Sequence, residues 1–215
     1  MQQLFSRSMK TLLPIGYFPP ISYFAYLLRD EITIETKEHF VKQSIRSRCT
    51  VLGANGPLNL LVPRAKSDVR KTIEDTLIHD ETDWKTLHWR SLESAYRKSP
   101  YFEYYEDDMK PFFEQPHTHH LKVGIDSIQL VLGLLNLEFK PEHTTSYLSD
   151  FPGLDLRKTW NKIDYLNQNP IQSFPEYIQV FSDRFKFEQD LSILDLLFCL
   201  GPRSIAYLKG LELTK

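Results

Sequence analysis

The chain has 215 residues, 41% of them apolar and 13% aromatic, which suffices for one well-buried domain and excludes a disordered chain. Twenty-six lysines and arginines nearly balance 28 acidic side chains, so no global field directs the protein to nucleic acid or to an anionic membrane, and a local basic cluster is left open. The longest apolar stretch, IQLVLGLLNLEF from Ile128, is too short to cross a bilayer, and no cleavage pattern follows the first residues. The expectation is a soluble cytoplasmic protein with buried thiols at Cys49 and Cys199.

In chain order, Thr11 to Tyr17 reads as a strand, Pro19-Pro20 as a turn, and Ile21 to Leu28 as a helix with Ile21, Phe24, Leu27 and Leu28 at helical spacing. Ile32 to Thr36 alternates as a strand does. Arg48 to Ala54 and Leu58 to Val62 flank Asn55-Gly56, a pair suited to the positive φ angles of a hairpin turn. Thr72 to His79 is a weaker strand. Asp83 caps a helix from Trp84 to about Lys98 with Leu87, Leu92 and Ala95 as its apolar stripe, and Ser99-Pro100 opens a second helix toward Phe113. A third runs from Leu121 to Leu137. Residues 142–175 lack a period and read as a long loop or lid, and the chain closes through Asp190–Leu200 and Arg203–Leu208, two short helices parted by Gly201-Pro202.

These elements give an α/β fold, with mixed α+β as the alternative: an N-terminal strand-turn-helix and hairpin sheet packed on a C-terminal helical region. One domain spans 1–215, sheet-rich over 1–80, helical over 82–139, looped over 142–175, with a strand and helices over 176–215.

In an extended chain Ser44, Arg46 and Arg48 share one face, beside Lys42 and Gln43, so two guanidinium groups in register suit a phosphate or carboxylate. The competing expectation is a solvated face paired with Glu35 and Glu38. Trp84, His88 and Ser91 project from one side of a helix, and His88, with an ordinary pKa of about 6.5, is a candidate general acid or base. No Gly-x-Ser-x-Gly elbow supports a serine nucleophile. His117, His119 and His120 lack partners at ligand spacing, so a surface loop is expected there and no metal; no cofactor is indicated. Tyr17, Tyr23, Tyr96, Tyr101 and Tyr105, with Trp84, supply rings with polar tips for a ligand or for the core. Asp195, on an otherwise apolar helix, requires a fixed partner such as an arginine or a backbone donor. Nucleotidylyltransferases set HxGH at such a strand-turn-helix; here ISYF stands there, so that mechanism is unsupported.

The ordered blocks YFPPISYFAYL, HFVKQSIRSRCTVLGANGPLNLLVPR, DWKTLHWRSLESAYRKSPYFEYYED and FPEYIQVFSDRFKFEQDLSILDLLFCLGP resemble the WbqC-like family of bacterial proteins, in its short, Bacteroidetes-type form. The family pattern falls on Tyr17, Pro19 and Tyr23; on Lys42, Gln43, Arg46 and Arg48; on Trp84, His88, Tyr96, Pro100, Tyr101 and Phe102; and on Tyr177, Gln179 and Asp195. The resemblance implies a place in O-antigen and other surface-polysaccharide biosynthesis. Two expectations follow. One is a group-transfer enzyme acting on an amino sugar or nucleotide sugar, with Arg46 and Arg48 on phosphate and His88 on a proton. The other is a non-catalytic binding or assembly factor for an anionic sugar or nucleotide derivative. Between Thr144 and Pro175 the chain lacks the glycine-containing loop of longer members, which leaves open binding without catalysis or a different reaction. A polar cluster of two arginines and a histidine, costly to keep for packing alone, tilts the expectation slightly to the enzyme.

Overall fold

The computed structural model describes residues 10–28, 31–79, 81–138, 141–161, 171 and 173–213. The first strand, β1 (Lys10–Pro14), is buried from Thr11 onward, as a parallel strand covered on both faces must be. After the turn at Pro19-Pro20, all of α1 (Ile21–Leu27) is buried, and β2 (Glu31–Glu35) returns parallel to β1 with Lys10 opposite Glu31 and Pro14 opposite Glu35. The expected strand, proline turn and helix are therefore the opening of a βαβ unit.

The hairpin follows as β3 (Arg48–Gly53) and β4 (Gly56–Leu61), closed through Ala54 and Asn55 with Gly53 opposite Gly56. Gly56 takes the positive φ (104°) and Asn55 does not, so one residue of the expected pair supplies the left-handed backbone. Residues 42–47 form turns, and the strand starts only at Arg48, so the two-residue alternation expected for Ser44, Arg46 and Arg48 does not operate. The expected strand at Thr72–His79 is reduced to isolated bridges of Thr72 with His39, Leu77 with His119 and Ile78 with Arg64.

Helix α2 (Trp84–Tyr96) has the expected cap, the Asp83 carboxylate accepting from the Thr86 N–H. Its buried stripe is Trp84, His88, Trp89, Leu92, Ala95 and Tyr96, whereas Leu87, expected inside, is 63% exposed. Helix α3 (Phe102–Glu114) begins later than Ser99-Pro100 implied, because the Ser99 hydroxyl turns back to the Tyr96 carbonyl and caps nothing ahead. Helix α4 (His120–Leu134) follows a histidine-rich turn that is no surface loop: His117 and His120 are buried, the former against Trp84 and Phe112.

The span 142–175, expected as a long loop or lid, is mostly irregular where described but contributes two short strands to the sheet, and its residues 162–170 and 172 lie outside the described residues. β5 (Glu142–His143) pairs with β2 and β6 (Leu154–Asp155) with β1, giving the all-parallel order β5-β2-β1-β6. The expected strand after residue 176 is absent among the described residues; that stretch turns at 180–185. Helices α5 (Ile193–Leu200) and α6 (Ser204–Gly210), joined by a 3-10 turn at Gly201–Arg203, end the described fold. The fold is thus mixed α/β, a parallel sheet and an antiparallel hairpin packed with helices. Both cysteines are buried and unpaired, as expected.

Candidate ligand cleft

β1 sends its connection through α1 to β2 on one side and has β6 on the other, so the strand order reverses beside β1. In parallel sheets the crevice beyond the carboxyl ends of the strands at such a reversal is the usual ligand position. The chain builds that crevice with a series of clamps. The Tyr17 N–H donates to the Ile45 carbonyl (2.8 Å) and the Ile45 N–H to the Trp160 carbonyl (3.4 Å), which wedges the 44–47 turn between the ends of β1 and β6. Phe18 is held at φ 38°, a left-handed conformation costing about 1–3 kcal/mol for such a residue. Its N–H donates to Ser127 Oγ (3.1 Å) and its carbonyl accepts from Ser192 Oγ (2.8 Å), and these bonds fix the ring position. The Ser192 N–H reaches the Thr50 carbonyl (2.8 Å) and locks the start of α5 to the hairpin.

The resulting cleft encloses about 40 Å³. Phe18, Pro20, Ile45 and Trp160 make its apolar wall, and Gln43, Ser44, Arg48, Thr50, Asn59 and Ser192 its polar one, with Cys49 beside them. The Thr50 hydroxyl donates to Asn59 Oδ1 (2.8 Å), which leaves the Asn59 amide nitrogen as a donor at the wall. Arg48 contributes a guanidinium whose buried Nε has no hydrogen-bond partner among the described residues. A buried donor without an acceptor costs about 1–3 kcal/mol, a debt that an anion in the cleft removes. Burial pushes the Cys49 thiol up to about 12, so it is protonated near neutrality.

Of the residues singled out from sequence, Gln43, Ser44 and Arg48 meet at this cleft. Arg46 does not. Arg46 is 0% exposed: its Nε and Nη2 grip the Glu38 carboxylate at 2.8 and 2.7 Å, Nη1 donates to Asn161 Oδ1 (2.6 Å), and Nη2 also donates to the Arg157 carbonyl (3.1 Å). Burial pulls this guanidinium down and pushes the Glu38 carboxyl up, while each charge opposes the other's shift. Pairing with Glu38 was the competing expectation, but the pair is buried rather than solvated. Arg157 adds bonds to Glu35 (3.1 Å) and Asp155 (2.6 Å) at the ends of β2 and β6, so the sheet's carboxyl edge is sealed by ion pairs.

His88 is a packed histidine, 1% exposed. Its Nε2–H donates to the Leu61 carbonyl (3.2 Å), which makes Nδ1 the acceptor for the Tyr17 hydroxyl (2.9 Å). Burial holds its pKa at about 4, so near neutrality it is uncharged, and it does not line the cleft. Ser91, expected on the same side, bonds back to the Leu87 carbonyl. Trp84, Tyr17 and Tyr105 are core residues, Tyr23 donates to the Pro14 carbonyl (2.9 Å) behind Trp160, and half-buried Tyr101 packs against Gly201. A Cβ on Gly201 would come within 2.4 Å of that ring. Lys42 faces a separate groove.

Asp195 has fixed partners of another kind than expected. Its carboxylate accepts from Tyr96 (2.8 Å), Tyr177 (2.5 Å) and Gln179 (3.0 Å), while Tyr96 Oη accepts from the Leu52 N–H (3.1 Å). Burial pushes the Asp195 carboxyl up and these three bonds oppose the rise. The network ties β3, α2, α5 and the 177–179 stretch together and presents nothing to the cleft.

The cleft residues not among the sequence candidates are Phe18, Pro20, Ile45, Cys49, Thr50, Asn59, Trp160 and Ser192. The hairpin register was a usable signal for one pair, since Gly53 opposite Gly56 sets Thr50 across from Asn59. Trp160 and Ser192 come from distant chain, where no local pattern reports a tertiary meeting. Among the described residues no group of three or more His, Cys, Asp or Glu is placed to hold a metal ion, and no helix is long and apolar enough to cross a membrane.

The structure is thus a mixed α/β fold with a cleft, bordered by Arg48, beside a strand-order reversal. A family model for the WbqC-like protein family matches residues 16–207, and the chain belongs to that family. It is also similar to uncharacterized protein Rv1507c of Mycobacterium tuberculosis, with 26% identity covering 90% of this chain and 92% of that one. No solved structure matches.

Proposed function

We propose that this protein binds the anionic head group of a sugar-derived metabolite, a nucleotide sugar or sugar phosphate, and serves bacterial surface-polysaccharide assembly as a cytoplasmic binding or assembly factor. The observation that carries the reading is the Arg48 guanidinium on the cleft wall with its buried Nε unpartnered. Arginine is suited to phosphate and carboxylate oxygens by its planar fork of donors. A volume of about 40 Å³ suits a phosphate or carboxylate group and leaves the sugar at the mouth. The glycan context rests on family membership.

Binding is favoured over catalysis by the lining. None of the described residues around the cleft is a carboxylate or a histidine, so the wall supplies donors for an anion and no general base. Group transfer onto an amino sugar is the second reading, favoured by the cleft's position at the carboxyl ends of β1 and β6, where many α/β enzymes place their chemistry. It would work by holding two substrates together.

Isothermal titration of the purified protein with UDP-sugars, sugar 1-phosphates and the matching neutral sugars tests the reading. Phosphorylated ligands bind, neutral sugars do not, and Arg48→Ala weakens binding at least tenfold with an unchanged melting temperature. Equal binding of neutral sugars, or full binding by Arg48→Ala, overturns it. Product in excess over protein, from a nucleotide amino sugar and an acyl donor, would replace it with the transferase reading.

A further inference from the structure

On the other side of the turn that brings Gln43 to the cleft lies a groove of about 330 Å³ lined by Phe40, Lys42, Arg64, Arg70 and Lys71, with Asp68 and Val69 at the 64–71 loop. Four of these residues are cations and one is an acid, in a chain whose net charge is −2. None of the four forms a salt bridge among the described residues, although several other lysines and arginines of the protein do. The Arg64 guanidinium lies over the Phe40 ring at 5.6 Å.

The groove has fixed walls. The Phe40 N–H donates to the Lys71 carbonyl (3.0 Å) and the Ala65 N–H to the Leu77 carbonyl (3.0 Å), so both ends of the 64–71 loop are anchored to the body. The Ser67 hydroxyl donates to the Val69 carbonyl (3.0 Å) and ties the tip. Four like charges held around one concavity repel, and an anion seated among them relieves that repulsion.

We infer that this groove is a second anion site, separate from the Arg48 cleft, and that it takes a diphosphate-bearing small molecule. A diphosphate offers oxygens on two phosphorus centres, so two guanidinium forks and two ammonium groups all find acceptors, whereas a single phosphate leaves some of them unmet. The concave shape favours a compact ligand over a flat lipid surface. Lys42 and Gln43 are consecutive, so the two sites flank one turn.

Isothermal titration of the full chain with inorganic pyrophosphate and with orthophosphate decides the matter. Pyrophosphate binds saturably and more tightly than orthophosphate. In an Arg48→Ala background, which silences the cleft, one saturable pyrophosphate site remains, and adding the folded double substitution Arg70→Ala/Lys71→Ala weakens it at least tenfold. Absence of saturable pyrophosphate binding, or binding indifferent to the double substitution, overturns the inference. Loss in Arg48→Ala alone places the diphosphate in the cleft and overturns it too, while strengthening the reading of that cleft. Binding to phosphatidylglycerol vesicles without pyrophosphate binding assigns the charge to a lipid surface instead.

Discussion

Arg46 and Arg48 stand two residues apart and end in opposite circumstances. Arg46 is sealed between Glu38, Asn161 and the Arg157 carbonyl, while Arg48 borders a cleft with Nε unanswered among the described residues. The turn at 42–47 causes the divergence, for it aims Arg46 at the sheet's carboxyl edge and releases Arg48 into the hairpin. Charge alone therefore does not mark a site. The useful mark is an unanswered donor on the wall of a cleft, since Trp84, Tyr105 and His120 also carry buried polar atoms without a hydrogen-bond partner among the described residues but do not line it.

The sharpest way to break this contrast is substitution. Arg46→Ala leaves Glu38 buried without its counter-ion, a loss of about 3–5 kcal/mol. Arg48→Ala removes a donor without an acceptor, so it lowers stability by no more than about 0.5 kcal/mol and any larger change is a gain. Urea unfolding of both variants measures the difference; equal losses would mean that Arg48 is as structural as its neighbour.

Next in size is the effect of acid on the core that backs the cleft. His88 titrates at about 4 in the folded protein, below the ordinary 6.5, so between these values the unfolded chain binds more protons. Its contribution is whole above pH 6.5 and is lost as pH falls toward 4, amounting to about 3 kcal/mol at the acid end. His120, also held at about 4 by burial, acts in the same sense. Asp195 and Glu38, raised by burial, act in the opposite sense. The His88→Gln variant should show a shallower fall in stability over that window, and an unchanged slope would mean that the imidazole titrates normally.

A smaller effect links packing to the cleft. A Cβ at Gly124 would lie 2.6 Å from Ile15 Cγ1 and 3.2 Å from the Gly16 carbonyl, the stretch that leads into Phe18. Gly124→Ala should cost about 1–3 kcal/mol and weaken anion binding with Arg48 intact. Unaltered affinity in a destabilised variant would separate the cleft from its support.

Much of the fold was legible because its signals are local. Alternation marked β2, Asn55-Gly56 the hairpin, and Asp83 the start of α2. The two strands within 142–161 were not legible because β5 and β6 are two residues each, too short for a period, and exist only by pairing with strands over a hundred positions earlier. The candidate site was half legible. Arg48, Gln43 and Ser44 stood out by chemical type, but the same types at Arg46 and His88 turned inward, and burial is a property of the whole fold.

The cleft draws on Phe18, Arg48, Asn59, Trp160 and Ser192, which span most of the chain. During synthesis its walls cannot close until Ser192 has left the ribosome and β6 has found β1. Closing so wide a loop is slow, so binding competence arrives late in folding. An anion held there clamps the beginning, middle and end of the polypeptide at once, and bound protein should exchange its amide hydrogens more slowly in β1, β3 and α5 together.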